Sequence, residues 1–196
     1  MRLEYHEDVE IAEGKAVWAN PGRSYCWGSP SYVVDQTGKG VLGRPVRDYR
    51  WPNSQTLDTA WPAADAEACL RTSHKGTVHS SFDCVWGFTQ VGITPKISEI
   101  LALNTRRGLL LPKVVHFGPK QGPGIFQALV DSEFGHLKDS AGNEYVSAFV
   151  DDCSISIAPL NQSEPEDAVF DRHISQLSLL FAKAAQKKIQ FMLEKS

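Results

Sequence analysis

Two adjacent carboxylates, Asp151 and Asp152, interrupt the otherwise apolar run from Glu144 to Ile157. Neighbouring carboxylates repel one another unless a cation or hydrogen bonds compensate. A third acid, Asp83, follows Phe82 and precedes the apolar Cys84, Val85 and Trp86. Mg²⁺ at phosphoryl-transfer sites is held by one or two carboxylates, with substrate phosphates and water supplying the rest of the shell. Asp83, Asp151 and Asp152 therefore have the composition of a site for two such ions, with Mn²⁺ an acceptable substitute. Taken singly, each acid reads as an ordinary turn or helix-cap residue.

Carboxylates that share ions must be carried on rigid elements. Residues 1–30 are polar, with turn formers at Ala19-Asn20-Pro21-Gly22 and Gly28-Ser29-Pro30, and read as irregular structure leading to a strand at Tyr32-Val33-Val34. Thr37-Gly38-Lys39-Gly40 reads as a turn into a second strand from Val46 to Tyr49, with Pro45 marking an edge. An alanine-rich run from Asp58 to Arg71 predicts a helix, followed by a short strand into Asp83. Residues 97–104 and 109–116 predict a hairpin, with Gly108 at positive φ. A helix over 124–134 follows. Glu144 to Ile157 then reads as strand, tight turn and strand, with the aspartate pair at the tip. Ile174, Leu177, Phe181 and Ala184 predict a helix over about 171–186, and Ile189 to Leu193 a last strand. This alternation implies an α+β fold, with an antiparallel sheet packed on helices.

With 42% hydrophobic residues, the 196-residue chain can bury the core of one domain, or of two subdomains that share one. The net charge of −3 does not describe a globally basic nucleic-acid binder, although a cleft can be locally basic above an acidic floor. Cys26, Cys69, Cys84 and Cys153 have neither disulfide-framework nor zinc spacing, which predicts a reducing, intracellular location. Glu4, Glu7, Asp8 and Glu10 stand where a signal peptide needs an apolar run, and no stretch has the length of a membrane span.

Several segments resemble reverse transcriptases in order and spacing. Phe149-Val150-Asp151-Asp152 resembles the aromatic-x-Asp-Asp motif, and Phe82-Asp83-Cys84-Val85-Trp86-Gly87-Phe88-Thr89-Gln90 the first catalytic motif. Phe117 through Gln127 is similar to the template-gripping turn and helix, in the form found in gypsy-type LTR retrotransposons. Arg44 and Asp48-Tyr49-Arg50-Trp51-Pro52-Asn53 resemble the fingers motif. His173-Ile174-Ser175-Gln176-Leu177 and Leu193-Glu194-Lys195-Ser196 resemble the palm helix and the lysine-bearing strand after it.

The resemblance implies a reverse-transcriptase-like palm at 58–196, with a fingers insertion at about 92–118 and a small, partial fingers subdomain at 1–57. It implies an RNA-directed DNA polymerase core that adds deoxynucleotides to a primer by two-metal phosphoryl transfer, with an RNA or DNA template-primer and dNTPs as partners and no membrane. Asp83 and Asp151 would be the main metal ligands, Asp152 a secondary one and the Cys84 carbonyl a further one. Phe88 would be the sugar gate. Lys39, Arg44, Phe117, Gly118 and Lys195 would face the nucleotide, and Lys120, Gln121, Gly122, Pro123 and Gln127 the template or primer.

Gypsy-type elements carry Leu-Lys-Asn-Ala-Pro where this chain has Pro119-Lys120-Gln121-Gly122-Pro123, and Met-Pro-Phe-Gly where it has Val115-His116-Phe117-Gly118. The family's polymerases continue into a thumb and usually an RNase H domain, neither of which fits in this length, so the isolated chain is expected to hold nucleic acid weakly. The alternative is a domesticated, catalytically silent copy that serves as a structural or interaction subunit of a larger assembly or polyprotein.

Overall fold

The computed structural model describes residues 2–35, 42–58, 61, 67, 69, 71, 76–139, 142–150 and 152–192. In chain order the described elements are α1 (Arg2–Ala12), β1 (Ala16–Trp18), β2 (Ser29–Val34), β3 (Arg44–Arg47), α2 (Arg50–Gln55) and β4 (Val78–Cys84). A single 3₁₀ turn (Gly87–Gln90), α3 (Pro95–Ile100), β5 (Leu103–Thr105), β6 (Gly108–Pro112) and α4 (Gly122–Phe134) follow. The chain ends with β7 (Val146–Phe149), β8 (Asp152–Ile157), α5 (Glu166–Lys187) and β9 (Phe191–Met192). They group into two units, Met1–Asp58 with Phe88–Gly122 and Thr59–Gly87 with Pro123–Ser196.

The first unit carries a five-stranded sheet in the order β1-β6-β5-β2-β3. Its pairings are antiparallel except β2 with β5, which run parallel at Ser29↔Leu103 and Pro30↔Asn104. Pro45, which cannot donate to a ladder, lies on the edge strand β3 as its type demands. Ala16, Tyr49, Leu101, Leu103 and Leu110 form the core, with Ile11 and Ile93 against it. The Tyr49 hydroxyl donates to the Leu101 carbonyl (3.1 Å), so its polar end is satisfied while the ring is buried.

The second unit is a four-stranded antiparallel sheet in the order β7-β8-β4-β9. Alternation turns Phe82, Cys84, Cys153, Ile155 and Ile157 to one face, where all are buried. There the Phe82 ring meets Phe181 of α5 at 5.5 Å and Phe191 of β9 at 4.7 Å, and Phe134 of α4 lies 5.9 Å from Phe191. Phe82 and Phe134 are buried, and full burial of such a ring contributes about 1.5–3 kcal/mol. The outcome is the α+β fold that the alternation of patterns implied.

Local pattern misled in three places. Residues 1–30, expected to be irregular, hold both α1 and β1, and α1 is anchored by ion pairs, with Ile11 against the core. Glu7, 4% exposed, pairs with Arg107 (2.7 Å), Asp8 pairs with the same guanidinium (2.8 Å), and Glu10 pairs with Arg47. These cations are remote in sequence, so no local period reports them. The first part of the expected strand at 97–104 is instead α3, started by Pro95 and by the Thr94 side chain, which accepts from the Ile97 N–H. The short helix α2, directly after the β3 strand, had no separate signal. The hairpin at Gly108 (φ 135°) and the strand–turn–strand around residue 150 stand where expected. The turn at Thr37–Gly40 and most of the helix expected over 58–71 lie outside the described residues.

Candidate active site

Asp83 on β4 and Asp152 on β8 are direct partners in the antiparallel ladder. Directly opposed residues emerge on the same face with Cβ atoms about 5 Å apart, and like charges in that relation are destabilising. The neighbouring positions Phe82 and Cys153 turn to the apolar face. A one-residue slip would therefore put both carboxylates into the core, so hydrophobic burial fixes their placement. Asp151 lies outside the described residues; among those described, no group of three or more His, Cys, Asp or Glu is placed to hold a metal ion. The oxygen-only donor type is that of a hard cation such as Mg²⁺.

The hairpin that presents Asp152 is held from α4. Gln127, 4% exposed, accepts the Val150 N–H on its Oε1 (3.0 Å) and donates from Nε2 to the Ala148 carbonyl (3.2 Å) and to Asp131 (2.8 Å). Val150 itself sits at φ 55°, a left-handed conformation that is uncommon for a β-branched residue. Gln127, expected at the template or primer, is thus buried with its amide engaged by the tip of the hairpin. Beyond Asp83, the Val85 N–H donates to Gln190 (3.0 Å), and the exposed Trp86 takes φ 50°. On the core side, the Ser80 hydroxyl is 2.8 Å from Nε2 of the buried His173, whose pKa is lowered by burial and by His79.

In the first unit, three residues expected at the nucleotide come together. Phe88, 8% exposed, meets Phe117 edge to face at 4.9 Å and 86°. The Arg44 guanidinium lies over the Phe117 ring, 4.6 Å from its centroid. Gly118 takes φ 116°, and a Cβ there would approach the Tyr49 ring to 3.1 Å, so the turn needs glycine.

Asn53, which the motif contains but to which no role had been assigned, brackets this turn. Its Nδ2 donates to the Gly118 carbonyl and its Oδ1 accepts from the Lys120 N–H, both at 2.8 Å. Gln121 donates to the Leu57 carbonyl (3.1 Å), and Lys120 pairs with the exposed Asp58 (2.6 Å). Gly122 is buried and opens α4, and Pro123 is exposed in its first turn. Lys39 and Lys195 lie outside the described residues.

Close to the turn lies a buried polar group. Arg47 pairs with Glu10, and His116, 3% exposed, stands 3.7 Å from the same carboxylate, too far for a hydrogen bond. Burial, then Arg47 and Lys15, hold the His116 pKa well below its ordinary value, so the ring is neutral. Neither of its ring nitrogens has a hydrogen-bond partner among the described residues.

No helix among the described residues is long and apolar enough to cross a membrane. The chain is 27% identical over 174 residues to the enzymatic polyprotein of cauliflower mosaic virus (strain NY8153), covering 84% of this chain and 24% of that one. Its fold superposes on the protease–reverse transcriptase of prototype foamy virus with a TM-score of 0.78 at 20% identity, over 99% of this chain and 23% of the other. A foamy viral protease–reverse transcriptase solved with an RNA/DNA hybrid gives a TM-score of 0.76 at 19% identity, over 96% and 22%. The chain spans about a quarter of the length of these proteins. Residues 41–196 match the model of the family described as reverse transcriptase (RNA-dependent DNA polymerase). With most of its length inside that match and its whole fold aligned with solved members, the chain belongs to the reverse transcriptase family of nucleotidyltransferases.

Proposed function

We propose that the chain is the fingers and palm of a gypsy-type RNA-directed DNA polymerase, the first unit acting as fingers and the second as palm. The observation that carries this reading is the placement of Asp83 opposite Asp152 on one face of a sheet whose other face buries Phe82, Cys84, Cys153, Ile155 and Ile157. A cation shared between them would relieve the repulsion of two acids held face to face. Asp83 and Asp152, with Asp151, would hold two Mg²⁺ ions. When bound, these ions supply activation of the primer 3′-hydroxyl and neutralisation of charge on the leaving pyrophosphate.

The chain's own residues position the reactants. Arg44, fixed over Phe117, balances triphosphate charge, together with Lys39 and Lys195. Phe88, backed by Phe117, excludes a ribose 2′-hydroxyl and so selects dNTPs. Gly118 allows close backbone approach to the nucleotide. Cys84 adds a backbone oxygen beside the metals. Lys120, Gln121, Gly122 and Pro123 face template or primer, while Gln127 holds the hairpin that carries Asp151 and Asp152. Primer extension on an RNA template by the polypeptide that carries this chain, set against its Asp83→Asn variant, tests the reading. Mg²⁺-dependent dNTP incorporation lost in the variant supports it, and incorporation that survives the substitution refutes it.

A further inference from the structure

In the first unit, α1 and β3 meet the segment that leads into Phe117 through a buried polar cluster. Arg47 donates from Nη2 to Glu10 Oε1, and the other carboxylate oxygen, Oε2, faces His116 Nε2 at 3.7 Å. The side chains of Arg47, Glu10 and His116 are 8%, 15% and 3% exposed. Glu10 Oε2, Arg47 Nε and both ring nitrogens of His116 are buried without a hydrogen-bond partner among the described residues. Buried donors and acceptors in folded proteins are almost always met, by the chain or by ordered water. A proline in place of His116, as in the gypsy-type sequence, would bring no polar side chain to this cluster.

We propose that one water molecule is bound here as part of the fold, donating to Glu10 Oε2 and His116 Nε2 and accepting from Arg47 Nε, and that through it His116 positions Phe117. A polar separation beyond about 3.5 Å is one that a water bridges, and about three partners is the usual complement of a buried water. Charge balance selects a neutral ligand. Arg47 already offsets Glu10, and Lys15 nearby pairs with Glu13 at 2.7 Å, so a cation would meet Arg47 and an anion Glu10. Because Nε2 accepts in this bridge, the ring proton is on Nδ1. The next residue is Phe117, whose ring meets Phe88 at 4.9 Å and carries the Arg44 guanidinium at 4.6 Å. Tying the His116 ring to α1 and β3 therefore restrains the two groups assigned to the sugar and the triphosphate. That positioning role rests on the polymerase reading, whereas the water itself does not.

The test has two arms. A crystal structure of the full wild-type chain at neutral pH, at a resolution that shows ordered water, is expected to place one water within about 3.2 Å of Glu10 Oε2, Arg47 Nε and His116 Nε2. A direct His116–Glu10 hydrogen bond, or no water between them, would overturn the site. The second arm is primer extension by the polypeptide that carries this chain. His116→Leu, which removes the acceptor, is expected to raise KM for dNTP about fivefold, the effect of one hydrogen bond, with kcat within about twofold of wild type. His116→Gln keeps an acceptor for the water and should restore most of the affinity. Equal KM in wild type and His116→Leu, or an equal rise in both variants, would overturn the positioning role. An ordered water in a wild type that extends no primer would sink the polymerase reading and leave the site standing, whereas extension by a chain with no water there would sink this proposal alone.

Discussion

Asp83 and Asp152 stand opposite each other across the β4–β8 ladder, with Phe82 and Cys153 opposed one step away on the core face. The carboxylate pair is therefore set by the same register that buries the core, and it cannot drift apart without unpacking the sheet. Such a pair should respond to a divalent cation as a unit. Saturating Mn²⁺ is expected to raise the Tm of the wild-type chain, by about 2.7 kcal/mol of stability at one hundred times Kd. The Asp83→Asn chain should show little of this gain. Calorimetry with and without metal decides it, and equal shifts in both chains would place the ion elsewhere.

Gln127 should behave as a positioning residue. Removing its amide leaves the Val150 N–H and the Ala148 carbonyl without their buried partner, which costs about 1–3 kcal/mol. Gln127→Ala is expected to lower kcat for extension with KM for dNTP nearly unchanged, because the hairpin tip moves while the nucleotide contacts remain. A change confined to KM would show that the side chain meets substrate instead.

Both buried histidines predict an acid-side loss of stability. Burial lowers the pKa of His116 and of His173 in the folded chain. The unfolded chain therefore binds more protons, and stability falls as pH drops below the ordinary histidine range near 6.5. Denaturant melts at pH 7 and pH 5 should show that loss, and His116→Phe should reduce it. A variant with the wild-type slope would show that His116 does not contribute to it.

Lys188 closes α5 in a left-handed conformation at φ 60°, with its N–H donating to the last turn. Lys188→Gly should remove the strain of that cap and stabilise the chain by about 0.5–1 kcal/mol. Thermal unfolding checks this, and destabilisation would show that the lysine side chain does more than cap.

The sequence was most legible where chemistry and local pattern coincide. The aspartate pair in a Val- and Ile-rich run announced a hairpin, and Asp83 was read at the end of a strand, where it stands; its ladder partner is Asp152, while the expected neighbour Asp151 lies outside the described residues. The hairpin at Gly108 was readable because one residue type is required there. What stayed hidden depends on contacts between distant positions. Glu7 and Arg107 anchor α1 across most of the first unit, and no local period contains that pair. Asn53 looked like one more polar residue in a motif until its two hydrogen bonds to the Gly118–Lys120 turn were seen. Gln127 was expected at the nucleic acid because its motif lies there, whereas its burial and its bond to Val150 are properties of the folded hairpin.

The proposed sugar-gate role of Phe88 makes a prediction about substrate choice. Phe88→Val opens space beside Phe117 and is expected to reduce discrimination against ribonucleotides by about tenfold or more in kcat/KM. Competition between dGTP and GTP on one primed template measures it. Unchanged discrimination would leave Phe88 as a core aromatic.

The central claim is that Asp83 and the Asp151–Asp152 pair form one metal-dependent polymerase centre. The most direct measurement is single-nucleotide incorporation by the polypeptide that carries this chain, on an RNA template with a DNA primer. Wild type, Asp83→Asn and Asp151→Asn are compared in Mg²⁺ and in Mn²⁺. The account predicts incorporation by wild type that requires the metal, and a loss of at least about a thousandfold in each variant, on the scale of removing a principal charge stabiliser from the transition state. Incorporation by either variant at the wild-type rate, or wild-type incorporation undiminished by chelation of the metal, would contradict it.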